Sequence, residues 1–556
     1  MGLIRVAGGT VVDPANGVEG TPGDIWIADG LIVAAPGDPE VRADRTIDAR
    51  GDVVMAAGVD MHCHIAGSKV NAARASRPEE SRKEGFARCP ERGLRSGSLG
   101  SVPSTFATGY RYAGLGYGTA VDAAIAPLGA RHAHHEFRDT PVVDKAMLIL
   151  LGNNHYVMDR IREGEADRLR SYVAWLLGAT GGFGVKVVDP GGVETWKQGR
   201  GPVATLDEVV SGFGVTPRQI LIELARAVDD LGLPHPIHVH GLNLGMPGNA
   251  GLTLETMRAL DGHRAHFAHI QFHSYGGSPD DLGRFDSQVA TLAEYVNTHD
   301  GVTVDVGQVM FGETTSMTAD GAVGEFLHRL SGRKWISGDV EMETGCGIVP
   351  ITYDDRNLVH ALQWAIGLEW YLRVDDPWRI ALSTDHPNGG SFASYPKIIA
   401  LLMDRNLRDE TLRRLPDRVR ARSGLADLTR EYSLAEIAII TRAGPARMLG
   451  LAHKGHLGSG ADGDLAIYRP GADIERMFSM PRYLIKGGEV VLDDGELKAA
   501  PAGRTLQVES GFDPEMTADF GHWFSDNYSI RFANFAMADG EVDRPRTVPT
   551  ARARPR

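Results

Sequence analysis

Residues 58–67 read GVDMHCHIAG, and this stretch decides the fold. An apolar run ends in two histidines, His62 and His64, one residue apart. Positions i and i+2 on a strand share a face, so both imidazoles reach toward one point in front of the strand end. Taken alone, a His-x-His pair is also what two core or solvated histidines look like. Residues further along the chain change that. Lys186 lies inside the apolar run GVKVVDPGG, where little surface is left for a snorkelling side chain. His238 and His240 come next in IHVHG, then His266, His269 and His273 in HFAHIQFHS, and Asp385 in ALSTDHPNGG. Five strand ends in succession each offer a group able to bind a metal.

Around these residues, apolar runs alternate with amphipathic segments from about residue 54 to 440. DKAMLILLGN, PHPIHVHGLN, VTVDVGQVM and RIALSTDHPNGG read as strands. DRLRSYVAWLLGAT, PRQILIELARAVDDLG and DSQVATLAEYVNTHD read as helices. The alternation predicts parallel βα units closed into an α/β barrel of the (β/α)8 TIM-like type, with its reactive groups at the strands' C-terminal ends. Residues 1–53 and 441–510 are strand-rich instead, as in LIRVAGGTVVD and RYLIKGGEVVLDDGELK. They predict a small β-sandwich domain built from both ends of the chain. Residues 69–115, charged and rich in Arg, predict a long loop near the site after the first barrel strand. Residues 511–556 carry aromatics and then a Pro/Arg-rich end, the texture of an arm that contacts another subunit or packs on its own domain.

The chain has 556 residues, 42% of them hydrophobic and 23% charged, enough for a large barrel with an accessory domain. A formal net charge of −14 speaks against general nucleic-acid binding. Three scattered cysteines, Cys63, Cys89 and Cys346, build neither a disulfide framework nor an electron-transfer cluster. With no secretory signal pattern and no apolar run long enough for a membrane span, the expectation is a cytoplasmic protein. The histidines of HAHHEF, His132, His134 and His135, lie outside the strand-end series and read as a solvated or loop segment.

The series His-x-His, Lys, His, His, Asp resembles the amidohydrolase superfamily, in particular its binuclear branch of dihydroorotases and hydantoinases. That resemblance implies two divalent ions, zinc by expectation, bridged by Lys186 as N6-carboxylysine. His62, His64 and Asp385 would hold the more buried ion, and His240 and His269 the second. His238, His266 and His273 stay open as alternatives, because alternation does not choose between neighbours. Asp385 would be the catalytic proton carrier. Longer runs narrow the match. HCHIAGSKVNAAR, LGNNHYVMDRI, HGLNLGMPGN, HIQFHSYGG and STDHPNGGSFASYP resemble the large catalytic subunit of formylmethanofuran dehydrogenases. They are equally similar to its counterpart, the A subunit of the bacterial formyltransferase/hydrolase complex.

The family implies interconversion of N-formylmethanofuran with formate and methanofuran, within a complex whose other subunits include a formyltransferase. Hydrolysis is the expected direction, and condensation of formate the reverse. The rival readings are a hydantoinase-like cyclic amidase and an inactive scaffold subunit. Asn154 and Asn243, with HSYGG and the NGGS after Asp385, are candidate substrate contacts, although asparagine also serves turns.

Overall fold

The structure is a computed structural model that describes residues 2–38, 40–78, 100–278, 284–337, 347–538 and 540–551. Eight parallel strands form the barrel: β1 (Gly58–Cys63), β2 (Tyr117–Ile125), β3 (Asp144–Leu150), β4 (Gly184–Val188), β5 (Ile237–His240), β6 (Ala265–Phe267), β7 (Val302–Asp305) and β8 (Ile380–Ala381). They pair in that order around the sheet. The ring closes where Cys63 of β1 bridges His386 just past β8, with the His64 N–H donating to the His386 carbonyl at 2.7 Å. Every residue of β1 through β6 is buried, as expected for strands covered on both faces. At about 1.5–3 kcal/mol for each large apolar side chain, this layer outweighs any single polar contact in the molecule. The helices predicted from periodicity form at Ala166–Thr180, Pro217–Asp230 and Val289–Thr298.

Seven helices bear on the site and its surroundings: α1 (Gly67–Ser76), α2 (Thr105–Gly114), α3 (His155–Glu163), α4 (Ala166–Thr180), α5 (Gly321–Ser331), α6 (Leu358–Arg373) and α7 (Met516–Asn527). The segment expected as one long loop over 69–115 is α1 and α2 at its ends, while 79–99 lies outside the described residues. Between β7 and α6 an inserted three-stranded antiparallel sheet (Gly312–Thr318, Ile336–Ser337, Gly347–Tyr353) carries α5 and stands over the barrel mouth.

The strand-rich ends join in one nine-stranded mixed sheet, with Val53–Ala56 from the N-terminal part pairing with Leu465–Tyr468 from the C-terminal part. Thr505–Val508 leaves that sheet and extends the barrel sheet beside β3, followed by Pro545–Val548. The aromatics of the C-terminal segment pack on the chain itself. Phe520 and Trp523 of α7 meet Tyr156 of α3, and Phe532 stacks 4.8 Å from Trp175 of α4. Of the cysteines, only Cys63 is among the described residues, and it is free and buried. HAHHEF, expected as a solvated or loop segment, lies in the helix Ala130–Asp139. There His134 is buried and held at 2.8 Å by the Thr180 carbonyl.

Candidate metal centre

A cavity opens at the C-terminal end of the barrel strands, lined at its floor by His62, His64, Lys186, His240, His269 and Asp385. The structure thus brings the six sequence-selected side chains to one place. Ligand-type atoms of His62, His64 and Asp385 lie within 4.8 Å of one another. Asp385 Oδ1 is 3.1 Å from His62 Nε2 and 3.0 Å from His64 Nε2. The His240 and His269 rings sit 4.7 Å apart, and His269 is 5.1 Å from His62.

Backbone conformation aims these groups. Both His269 (φ +35°) and Asp385 (φ +50°) occupy the left-handed region, costly for side-chain-bearing residues and concentrated at functional sites. Gly307, at φ +67°, makes this possible. A Cβ there would lie 2.4 Å from His269 Cβ and 3.5 Å from Asp385 Cβ.

The electrostatics suit cations. Buried Lys186 Nζ, His240 Nε2 and His269 Nδ1 make no hydrogen bond. Stranded buried polar atoms are rare in folded proteins, and three around one cavity fit divalent ions as their missing partners. Desolvation pushes Lys186 down to about 7, so its amine sheds a proton readily. Desolvation also lowers His240 and His269, leaving neutral imidazoles with lone pairs to give. The Asp385 carboxyl is driven upward by burial, but His269 and His62 more than reverse this and hold it well below the usual carboxylate range.

Other candidates fall elsewhere. His238 and His266 sit one rung lower in register with Lys186, inside the barrel and away from the cavity lining. His273 stacks 5.5 Å from His269 without lining the cavity. Neither asparagine expected as a substrate contact is among the cavity's lining residues. Asn154 caps α3 by accepting from the Val157 N–H at 3.1 Å, and Asn243 donates to the Val203 carbonyl at 3.2 Å. Asn388, from the NGGS run, lines the cavity.

Sequence reasoning missed Lys69 of α1, whose Nζ is buried at the cavity wall, and the neck above the floor. Phe326, Leu327 and Leu330 of α5, with Ile351, make that neck apolar, while Tyr353, His360 and Gln363 add a polar strip. Helical spacing in GAVGEFLHRLS was a usable signal for an apolar face, but nothing in it pointed to the cavity.

A closed parallel barrel carrying His-x-His, lysine, two histidines and aspartate at its C-terminal mouth defines the metal-dependent hydrolases of C–N bonds. Comparison with known proteins agrees. The amidohydrolase family profile matches residues 45–492. The chain is 45% identical to Protein FwdA of Methanocaldococcus jannaschii over 96% of both chains. It is 40% identical to the A subunit of the formyltransferase/hydrolase complex Fhc of Methylorubrum extorquens over 97% of both. Among solved structures, a chain of the Methylorubrum extorquens FhcABCD complex with methylofuran superposes with a TM-score of 0.92 at 38% identity. The match covers 99% of this chain and 100% of that one. A D-aminoacylase, at 14% identity and TM-score 0.51, covering 90% of this chain and 99% of its own, shares the fold. The chain belongs to the amidohydrolase family, in the branch that holds FwdA and the Fhc A subunit. It is accordingly a metal-dependent hydrolase of C–N bonds. Among the described residues, no helix is long and apolar enough to cross a membrane.

Proposed function

We propose that this chain hydrolyses N-formylmethanofuran to formate and methanofuran, as the amidohydrolase subunit of a formyltransferase/hydrolase complex that also holds a formyltransferase subunit. The observation that carries this reading is the cavity itself. Lys186 Nζ, buried and without a hydrogen bond, shares one floor with four histidines and Asp385. Above that floor stands an apolar neck suited to a small polar head on an apolar arm. Two zinc ions are the cofactors proposed. His62, His64 and Asp385 would hold one, His240 and His269 the other, and Lys186, carboxylated on Nζ, both.

Bound there, divalent ions supply a Lewis acid for the formyl carbonyl and lower the pKa of water to about 7. The residues do the rest. Asp385, kept ionised by His269 and His62, takes the proton of the attacking water and passes it to the departing nitrogen, whose poor leaving ability is the main barrier. The neck residues Phe326 and Leu327 exclude bulk water and hold the arm of the substrate. Lys69, a cation on the wall, favours the developing formate anion.

The same groups would serve condensation of formate with the amine, the reverse of the same reaction. The test is to incubate the purified complex with synthetic N-formylmethanofuran and measure formate, before and after chelation. Formate from the metal-loaded sample alone is expected. None from it would reject the reading, and turnover of hydantoins instead would favour a cyclic amidase.

A further inference from the structure

Beneath the cavity floor runs a ladder of fully buried imidazoles whose protons can be assigned one by one. His235 Nδ1 lies 2.9 Å from the Met448 carbonyl, a group that only accepts, so this nitrogen carries the proton. A neutral imidazole then accepts at its other nitrogen. His235 Nε2 faces His238 Nδ1 at 2.9 Å, making His238 Nδ1 the donor. His238 Nε2 must therefore accept, and it faces His62 Nδ1 at 3.0 Å. A second route ends at the same atom. Asp305 Oδ1, at the end of β7, lies 3.0 Å from His62 Nδ1 and 3.1 Å from His266 Nε2. Its Oδ2 receives the Ser383 hydroxyl at 2.5 Å. Both routes put a proton on His62 Nδ1, which leaves Nε2, the atom 3.1 Å from Asp385, as the nitrogen that can meet an ion.

We propose that Asp305, with His238 behind it, is a positioning residue. It fixes His62 in the Nδ1–H tautomer and aims its Nε2 lone pair at the place of the more buried ion. The proposal rests on the reading of His62 as a metal ligand. His62, His238 and Asp305 also bring three ligand-type atoms within 4.8 Å of one another. The proton assignment makes them donor and acceptors to one another, so this trio is a hydrogen-bonded support and not a further ion site.

Carboxylate partners of metal-binding histidines are worth about 10–100-fold in metal affinity, and their loss shows in metal retention, which a packing role would not move. Metal content per chain and the rate of release to a graded chelator would be measured on the complex for wild type, His62→Ala, Asp305→Leu and Asp305→Asn. Asp305→Leu should release the more buried of the two ions at least about 10-fold faster, with circular dichroism unchanged. Asp305→Asn keeps an oxygen that both rings can reach, so it should restore much of the retention. Two ions and wild-type release in Asp305→Leu would overturn the proposal. If that variant does not fold, Ser383→Ala and Asp305→Asn carry the test, each expected to speed release several-fold. Wild-type release in both would overturn it equally. Two ions retained in His62→Ala would instead defeat the ligand reading beneath it, whatever the Asp305 variants do.

Discussion

In the proposed function Lys186 is the residue on which the chemistry turns, because an ammonium cannot bind a cation while a carbamate can. Forming the carbamate requires the neutral amine. An ordinary lysine, with a pKa of about 10.4, is less than ~1% neutral at pH 8. Desolvation pushes Lys186 down to about 7, which makes it mostly neutral at that pH. The sign is clear: protons leave this amine as pH rises through 7, so metal uptake by the stripped protein should rise across that range and be faster with added bicarbonate. Uptake followed from pH 6 to 8.5 checks this, and a flat profile would remove the carbamate. Asp385→Asn keeps shape but loses the proposed proton carrier. Its turnover should fall by at least about 10³-fold while its melting temperature stays near wild type. Near-normal rates would take Asp385 out of the mechanism.

At the scale of the element, aim depends on how strands end. Gly307, just past β7, lets the backbone pass so close to His269 that a Cβ on it would lie 2.9 Å from His269 Cα. Gly307→Ala should displace His269 and Asp385 together. A misplacement near 1 Å costs about 100-fold in rate, so activity should fall far more than the melting temperature. Equal losses in both would point to plain destabilisation.

The same strand ends explain what was legible beforehand. His62 and His64 could be read because they alternate across the end of β1, a strand buried along its whole length. His269 could not be separated from His266 by alternation, because β6 stops at Phe267 and the chain turns through a left-handed residue at His269 itself. One barrel strand was hidden for another reason. Tyr117–Ile125 is YGTAVDAAI, whose small residues are buried on both faces and carry no alternating pattern, and it comes after the unpatterned segment 79–99. Asp305 was invisible as a partner of His62 because 243 residues separate them. Only the closed barrel brings β7 beside the floor of β1.

For the whole molecule, one buried ionic node ties the parts together. Asp144 at the start of β3 pairs with Lys454 and, at 2.7 Å, with Lys486 of the terminal sheet. Asp464 holds the same two lysines at 2.7 and 2.6 Å. Asp462 joins Lys454 at 2.7 Å to Arg546 of the C-terminal strand at 2.6 Å. The carboxylates Asp144, Asp462 and Asp464 group as metal ligands do, but the two ammonium groups already supply their counter-charge. Burial would raise the Asp144 carboxyl, and Lys454 and Lys486 instead hold it well below the usual range. Its stabilising share is therefore present above the unfolded pKa near 4 and is lost as pH falls below it. Asp144→Ala leaves Lys486 with Asp464 alone and Lys454 with Asp464 and Asp462, one buried negative charge short, the circumstance in which breaking a buried pair costs about 3–5 kcal/mol. Denaturant unfolding should show a loss of that order, and tryptic cleavage should first free the segment carrying Thr505–Val508 and Pro545–Val548. The exposed pair of Arg50 and Asp48 is the control, because water and salt screen it and Arg50→Ala should leave the transition unmoved. If Asp144→Ala unfolds with the wild-type midpoint, the barrel and the terminal sheet are held by apolar packing alone, and the node is an incidental feature of their contact.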